Sequence, residues 1–479
     1  MTLSASRALS RRIARSRLAI GHSFSGLSEP GEASRPRLIM TPRISEKRGG
    51  DARVSKQMPW IFRNEAANVE ELRGLGTAAL VNVESSEGRE LGIAMCNLTK
   101  GGSTGVNVLA RMLSDNVDTS IDLDFFRARV LRALEHRTRC WPDSKHYRLI
   151  NGEGDLLPGV LCDRYGDVLC LQFTALAAEV LLQEDILNAL EAVLAPKAVV
   201  LRYDARTDRL LEKASIKQPE LVRGSSPGLL ECPTPGFLFV ADPFAEGWSS
   251  GAFFAERRLR ELLAGALEEL TAPNKSAVPS ARRTPGKPKL SEPVLVQPKV
   301  LSLFGESSGI SAAAKGAKVT CAVASGSAKE AEQALRLLAE RNQCQDHVTY
   351  CSLGEEPRLE ELGDQCKAFF DVVSLEPPAL APTYGRLEEG ARLYTAWCGL
   401  AAAACKPGGL LLVACRSRTM SPVRLMRCIN MGIWSAGRQA RLVHRSAHAG
   451  LDSPIHFALQ DTNQFQLVAL RLSEGYAAS

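Results

Sequence analysis

The sequence predicts an α/β protein in three parts: a small β-barrel, a mixed α/β linking domain, and a doubly wound, mostly parallel sheet. Apolar runs typical of strands alternate with helical patterns beyond residue 299, as expected for a doubly wound sheet. Short strands separated by turns fill residues 57–113, and the region between combines both patterns. The chain has 479 residues, about three times the ~150 usual for one domain, which is enough for three cores.

The first folded part is predicted over residues 45–113. Apolar runs at Ala78–Val83, Leu91–Cys96 and Gly105–Leu109 are separated by turn residues. Short strands at this spacing favour a small barrel or sandwich.

The linking domain is predicted over residues 114–230. From Leu123 onward, apolar residues recur at steps of three and four with arginines between them, which predicts a helix whose arginines are either solvated or face RNA. Beyond it the patterns indicate a hairpin formed by Val160–Cys162 and Val168–Phe173. A helix at Ala178–Val193 and a strand at Ala198–Tyr203 follow.

The third part covers residues 231–479. Its strands are predicted at Val300–Phe304, Val319–Val323, Val348–Cys351, Val372–Leu375 and Leu410–Ala414, and its helices at Ser311–Lys315, Ala328–Asn342 and Leu387–Cys405. Residues 272–299 hold six prolines and six Lys or Arg against one Glu, which predicts a flexible basic insertion.

The N-terminal segment has an unusual composition. Before the first acidic residue, Glu29, stand five arginines and seven serines with isolated apolar residues. This acid-poor amphipathic pattern predicts a transit peptide within residues 1–44 and a location in a mitochondrion or chloroplast. The alternative is a disordered basic arm on a cytoplasmic protein. No apolar run reaches the ~18 residues that a membrane span needs.

Charge and cysteine usage exclude several classes of protein. Thirteen cysteines, scattered and without a CxxC pair, predict neither a disulfide framework nor a metal site. The net charge is +6, but residues 1–56 carry +8 and residues 272–299 carry +5, so the remaining domains sum to 6 − 8 − 5 = −7. Any contact with nucleic acid must therefore depend on local basic faces.

Two segments fall at the ends of predicted strands, where doubly wound sheets bind ligands. The first is Phe304 to Gly309, a strand, glycine turn and helix that would let a ligand approach the backbone. The second is Glu376-Pro-Pro, whose carboxylate and rigid carbonyl could hold the exocyclic amine of a base. A tight connection and a strand cap are the alternative interpretations.

Several motifs in this order resemble the bacterial ribosomal RNA large subunit methyltransferase I family, cytosine-C5 enzymes acting on 23S rRNA. The resemblance covers residues 45–479 and rests on Pro59-Trp-Ile-Phe62, Leu157-Pro-Gly-Val160 with Asp163-Arg-Tyr-Gly166, Arg206-Thr-Asp208, Ala252-Phe-Phe-Ala-Glu-Arg-Arg258, Phe304-Gly-Glu-Ser-Ser-Gly309, Glu376-Pro-Pro378 and Asp452-Ser-Pro454.

The resemblance implies a PUA domain, the family's linking domain and a class I Rossmann-like methyltransferase domain. It implies S-adenosylmethionine as cofactor and ribosomal RNA as partner, with no membrane, and leaves a homodimer open. The residues implied for the cofactor are Phe253, Phe254, Glu256, Arg258, Phe304, Gly305, Glu306, Ser308, Gly309, Glu376 and Pro377. Those implied for RNA are Trp60, Arg63, Arg127 and Arg132.

In the implied chemistry, a cysteine thiolate adds to C6 of cytosine so that C5 can attack the methyl group. We expect Cys415 to be this nucleophile, with Glu376 facing the base and Arg416 and Arg418 lowering the thiol pKa. Counted from Gly408-Gly409, however, the family's cysteine position falls on Arg416. Two alternatives therefore remain: a catalytically weak or inactive RNA-binding descendant of the family with a role in ribosome assembly, and a methyltransferase for another substrate.

Overall fold

The computed structural model describes residues 35–41, 57–99, 108–203, 209–210, 214–244, 254–272, 297–324, 328–354, 362, 364–446, 451, 453–462 and 465–474. Residues 273–296 of the basic insertion and residues 1–34 and 42–44 of the predicted transit peptide lie outside these ranges. The strands are β1 (Arg37–Ile39), β2 (Trp60–Phe62), β3 (Ala78–Glu84), β4 (Glu90–Asn97), β5 (Val108–Ser114), β6 (His146–Asn151), β7 (Val160–Tyr165), β8 (Val168–Phe173), β9 (Ala198–Arg202), β10 (Glu220–Gly224), β11 (Leu230–Thr234), β12 (Phe237–Ala241), β13 (Lys299–Leu303), β14 (Lys318–Ala324), β15 (Val348–Leu353), β16 (Phe370–Leu375), β17 (Cys405–Cys415), β18 (Arg438–Ser446) and β19 (Gln466–Glu474).

The helices are α1 (Val69–Leu72), α2 (Leu123–Cys140), α3 (Leu176–Leu194), α4 (Arg257–Thr271), α5 (Glu306–Ala314), α6 (Ala328–Arg341), α7 (Leu387–Ala404) and α8 (Pro422–Ser435). No helix among the described residues is long and apolar enough to cross a membrane.

The N-terminal domain is a five-stranded sheet in the order β1-β3-β4-β5-β2. A bridge between Met40 and Ala66 joins its two ends, so the sheet curls towards a barrel. Its first strand, Arg37–Ile39, pairs with β3. The domain therefore starts before residue 45, and the predicted transit-peptide segment 1–44 runs too far. Three residues are too short to show period-two alternation, which explains why the sequence pattern missed this strand.

The linking domain has a second five-stranded sheet, in the order β10-β9-β8-β7-β6, with α2 and α3 packed on it. Its buried residues include Phe126 and Val130 of α2 and Leu182 and Ile186 of α3, together with the inner faces of β7 and β8. Met95 and Leu113 of the barrel belong to the same apolar cluster. The two domains consequently share a core.

A buried ion pair ties α2 to the turn after β6. The Arg137 guanidinium donates to the two Asp155 oxygens at 2.5 and 2.7 Å, and its Nε donates to the Arg148 carbonyl at 2.8 Å. Arg137 is fully buried. The helix arginines are thus neither all solvated nor all available to RNA.

The C-terminal domain is a seven-stranded sheet in the order β15-β14-β13-β16-β17-β19-β18. The five strands from β15 to β17 are parallel, and β19 pairs antiparallel with both β17 and β18. Helices α4, α5 and α6 cover one face, and α7 and α8 cover the other. This confirms the predicted doubly wound fold and places the carboxyl ends of β13, β16 and β17 side by side.

All three domains meet at the turn Gly152–Asp155. The Trp60 indole of the barrel donates to Glu153 at 2.8 Å, and Arg111 lies 3.5 Å from the same carboxylate. From the C-terminal domain, the Pro454 carbonyl accepts the Asn151 amide at 2.8 Å and lies so close to Gly154 that a Cβ there would overlap it. Glycine at 154 is therefore required by this contact.

Candidate active site

The candidate site lies at the carboxyl end of β13. Phe304 adopts a left-handed backbone conformation with φ of 62°, and Gly305 then caps α5. A non-glycine residue in this conformation carries strain of about 1–3 kcal/mol, which is often found at functional sites. The chain turns sharply there because Ser302 Oγ donates to the Gly305 carbonyl at 2.7 Å and Phe304 packs its ring 4.6 Å from Trp397.

Glu376 reaches this turn from the end of β16. Its backbone N–H donates to the Leu303 carbonyl at 2.9 Å, and its carboxylate accepts from the Ser308 hydroxyl in the first turn of α5. Its exposed fraction is 0%. A Cβ at Gly305 would overlap Glu376 Oε1, so the glycine allows the carboxylate to lie against the turn.

A second carboxylate, Glu256, lies just before α4 and is also buried. It accepts from the Ser307 hydroxyl at 2.7 Å and pairs with Arg260 at 3.6 Å and with Arg416. Arg416 also donates to the Glu376 and Pro377 carbonyls, at 2.8 and 3.2 Å. These contacts join the ends of β16 and β17 to α4 and α5 in one polar cluster, which we call the carboxylate cluster: Glu256, Arg260, Ser307, Ser308, Glu376 and Arg416.

Burial lowers the pKa of Arg416 to about 10. The guanidinium is therefore still charged at neutral pH, where it offsets the charge of the Glu256 carboxylate.

Several residues that the resemblance implied for the cofactor do come together here. Glu256, Ser308 and Glu376 belong to the carboxylate cluster, Gly305 borders it, and the Pro377 carbonyl accepts from Arg416. Gly309 packs α5 on β13, where an added Cβ would lie 2.8 Å from the Cys321 sulfur. Phe253 and the Glu306 side chain fall outside the described residues.

Two implied cofactor residues lie elsewhere. Phe254 packs 5.6 Å from the Tyr165 ring, in the core beneath the β11–β12 hairpin. Arg258 is exposed and pairs with Glu261 at 2.9 Å. The arginine in the cluster is Arg260, two positions later. Because these positions lie about 200° apart around a helix, a motif of adjacent arginines does not show which side chain faces inward.

Cys415 does not face the carboxylate cluster. It is 1% exposed and belongs to the core formed with α7 and α8, which includes Tyr394 and Cys428. Burial raises the pKa of its thiol, so the expected lowering by Arg416 and Arg418 is wrong. Successive residues of a strand point to opposite faces, and it is Arg416 that enters the cluster.

The residues expected to bind RNA are divided between structural contacts and the surface. Trp60 bonds to Glu153, and Arg63 donates to the Thr99 carbonyl at 2.9 Å, so both are engaged within the fold. Arg127 and Arg132 lie on the solvent side of α2, where Arg127 pairs with Asp124. Only these two of the four are positioned to meet an external partner.

Within the described ranges, no group of three or more His, Cys, Asp or Glu side chains is arranged so that it could hold a metal ion.

Comparison with known proteins identifies the N-terminal domain and the fold of the C-terminal one. A family model for a PUA-like domain matches residues 47–103. The solved structure of a SAM-dependent methyltransferase from Streptococcus mutans covers 91% of this chain and 100% of its own, with a TM-score of 0.67 at 14% identity. A methyltransferase solved in complex with SAH gives the same TM-score and coverage at 15% identity. The fold is therefore that of a Rossmann-like methyltransferase preceded by a PUA-like domain.

Two sequence relatives with the same name match most of this chain. The protein named Ribosomal RNA large subunit methyltransferase I from Shewanella amazonensis is 26% identical over 427 residues, which span 88% of this chain and 97% of that protein. The protein of the same name from Salmonella typhi is 23% identical over 86% of this chain and 93% of its own length. The resemblance inferred from the ordered motifs is thus confirmed.

Proposed function

We propose that this chain is an S-adenosylmethionine-dependent methyltransferase that acts on large-subunit ribosomal RNA. The observation that carries the proposal is the carboxylate cluster at the carboxyl ends of β13, β16 and β17, which is where a doubly wound sheet binds its ligand. The names of the relatives, which match nearly the whole chain, support the substrate class.

The cluster fits the amino-acid end of this cofactor. That end carries an ammonium group and a carboxylate, and the cluster holds two buried carboxylates together with the partly buried guanidinium groups of Arg260 and Arg416. Glu256 and Glu376 are suited to the ammonium group, and Arg416 and the first turn of α5 to the carboxylate. The bound cofactor would supply an electrophilic methyl group, while the surrounding side chains would hold the ligand and exclude water.

Cofactor binding tests this proposal directly. We expect isothermal titration of the full chain with S-adenosylmethionine to show saturable binding, and Glu256→Gln to weaken it by roughly 10- to 150-fold, because one charge-assisted hydrogen bond is lost. Glu269→Gln is a matched control, since Glu269 pairs with Arg471 on the exposed side of α4. Absence of wild-type binding at millimolar cofactor would overturn the proposal.

For the target atom we propose C5 of cytosine, with Cys415 as the nucleophile, on the strength of the family resemblance. In this reaction the thiolate bonds to C6, C5 takes the methyl group, a base removes the C5 proton, and the bond from sulfur to C6 breaks. Cys415 would first have to leave the core against Tyr394.

The orientation of Cys415 favours a second candidate function, which is RNA binding without methyl transfer. Arg416 occupies the place where the thiol is needed and holds the Glu376 and Pro377 carbonyls. An arginine there supplies no nucleophile because its guanidinium stays protonated.

Methylation of transcribed large-subunit rRNA, measured by mass spectrometry of nucleosides, separates these functions. If C5 of cytosine is the target, wild type produces 5-methylcytidine and Cys415→Ser does not. Cys428→Ser is a matched control, because Cys428 lies in the same core. Methylation that survives Cys415→Ser would rule out this nucleophile, and RNA binding without any methylation would support the second candidate.

We further propose that the protein acts in a mitochondrion or chloroplast, with the cytoplasm as the alternative. The support is the Arg- and Ser-rich, acid-poor composition before Glu29. A fluorescent protein fused behind residues 1–44 should enter the organelle, and a diffuse cytosolic signal would contradict the proposal.

A further inference from the structure

The C-terminal domain contains a long stretch without acidic residues. Between Glu389 and Asp452 the chain has 62 residues with nine Lys or Arg and no Asp or Glu. This stretch includes α8 and β18, which pack against each other and are joined by the turn at Ala436-Gly437. Five of the nine basic residues belong to these two elements: Arg424, Arg427, Arg438, Arg441 and Arg445.

Helix α8 presents an unusual face to solvent. Val423, Arg427, Met431 and Trp434 recur at steps of three and four residues and therefore share one side of the helix. Val423 and Trp434 are each 79% exposed. The opposite side packs on the sheet through Leu425, Cys428, Ile429 and Ile433.

Strand β18 extends this surface along the edge of the sheet. It pairs only with β19 among the described strands, and Leu442 and Val443 are both more than half exposed. Arg445 lies opposite Val468, on the side covered by α8, whereas Arg441 lies opposite Arg471, on the side covered by α4. Positive charge thus flanks both sides of the edge.

Three arginines of this surface are available to a partner. Arg427, Arg441 and Arg445 are exposed, and no described residue forms an ion pair with them. By contrast, Arg424 pairs with Glu388, and Arg438 donates to the Ala402 and Cys405 carbonyls. The available charge therefore lies on the outer face of α8 and on β18.

We propose that the outer face of α8, together with β18, is a second binding surface for unpaired RNA, separate from the arginines of α2. The arginines would contact phosphates, and the exposed Trp434 ring would stack on a base. The choice of ribosomal RNA as the ligand rests on the proposed function.

The positive charge of this surface favours RNA over a second copy of the chain as its ligand. Basic residues on an edge strand can serve simply to prevent strands from pairing. That role does not account for Trp434 and Met431, which are exposed on the helix and not on the edge. A second copy would bring the same unpaired arginines to a two-fold interface and place like charges together. A polyanion with stacking bases satisfies both the arginines and the tryptophan.

The test is fluorescence anisotropy of the full-length protein with a short labelled single-stranded RNA, compared with the same RNA as a duplex. Trp434→Ala should weaken single-strand binding by roughly 5- to 150-fold, and Trp434→Phe should largely retain it, because the ring still stacks. Arg427→Ala and Arg441→Ala should each reduce the slope of log affinity against log salt by about 0.7. Arg336→Ala is the matched control: it is exposed at the opposite edge, where Glu332 pairs with it, and should leave the slope unchanged.

Unchanged affinity and salt slope in the Trp434 and arginine variants would overturn the inference. So would a change confined to oligomeric state, measured by sedimentation, which would make this face an interface between copies. Rates of methylation measured on the same variants keep the two proposals distinct. If the wild type methylates RNA but its affinity does not depend on Trp434, only the second binding surface is contradicted. If the wild type never methylates RNA but needs Trp434 to bind it, only the proposed enzymatic function is contradicted.

Discussion

Replacing Arg137 with methionine is expected to lower the free energy of unfolding by about 3–5 kcal/mol, as is typical when one partner of a buried ion pair is lost. The Asp155 carboxylate, which has a 6% exposed side chain, would retain the Asn151 N–H at 2.6 Å but lose both guanidinium bonds. A buried carboxylate without its counter-charge is costly because neither water nor a second cation reaches it. Urea denaturation followed by circular dichroism measures the change.

The same helix provides the control for this prediction. Arg127 pairs with Asp124 on the exposed side of α2, so Arg127→Met should change stability by less than about 1 kcal/mol. The double variant Arg137→Met with Asp155→Leu should recover much of the loss, because no buried charge is left alone. If Arg137→Met unfolds at the wild-type urea concentration, the ion pair does not have the structural role described.

Gly305→Ala is expected to abolish measurable cofactor binding and to destabilise the C-terminal domain by about 1–3 kcal/mol. The added methyl would overlap Glu376 Oε1 and Ser308 Oγ and lie 2.7 Å from Ser302 Oγ, all within a buried turn. The carboxylate would have to leave the turn, and with it the hydrogen bond from Ser308. Titration with S-adenosylmethionine and thermal unfolding measure the two effects separately.

Gly265→Ala tests whether the effect belongs to this position. Gly265 is exposed in the middle of α4 with nothing near its would-be Cβ, so alanine should stabilise the helix by about 0.5–1 kcal/mol and leave binding intact. Cofactor affinity in Gly305→Ala equal to that of wild type would show that the turn does not shape the binding site.

The fold was largely predictable because long elements have strong periodicity. The predicted strand Val168–Phe173 matches the structure, and the helix predicted at Leu387–Cys405 ends within one residue of the observed end. Strand β18 escaped prediction because exposed arginines interrupt its apolar pattern, and β1 because it is too short.

The site was harder to predict because it depends on which way side chains turn. The ordered motifs pointed to Glu256, Ser308 and Glu376, which the structure places in one cluster, and also to Arg258 and Cys415, which lie outside it. Their neighbours Arg260 and Arg416 make the contacts instead. A shift of one residue in a strand, or of two in a helix, reverses the face that a side chain occupies, and composition and spacing do not record it.

The meeting of three domains at Glu153 and Gly154 fixes how far the barrel lies from the carboxylate cluster. The barrel shares an apolar core with the linking domain, and the linking domain contacts the C-terminal domain at Pro454. The distance from the barrel to the carboxylate cluster is therefore set by packed side chains and not by a flexible linker. A ligand large enough to touch both the barrel and the carboxylate cluster would therefore have to span one set distance.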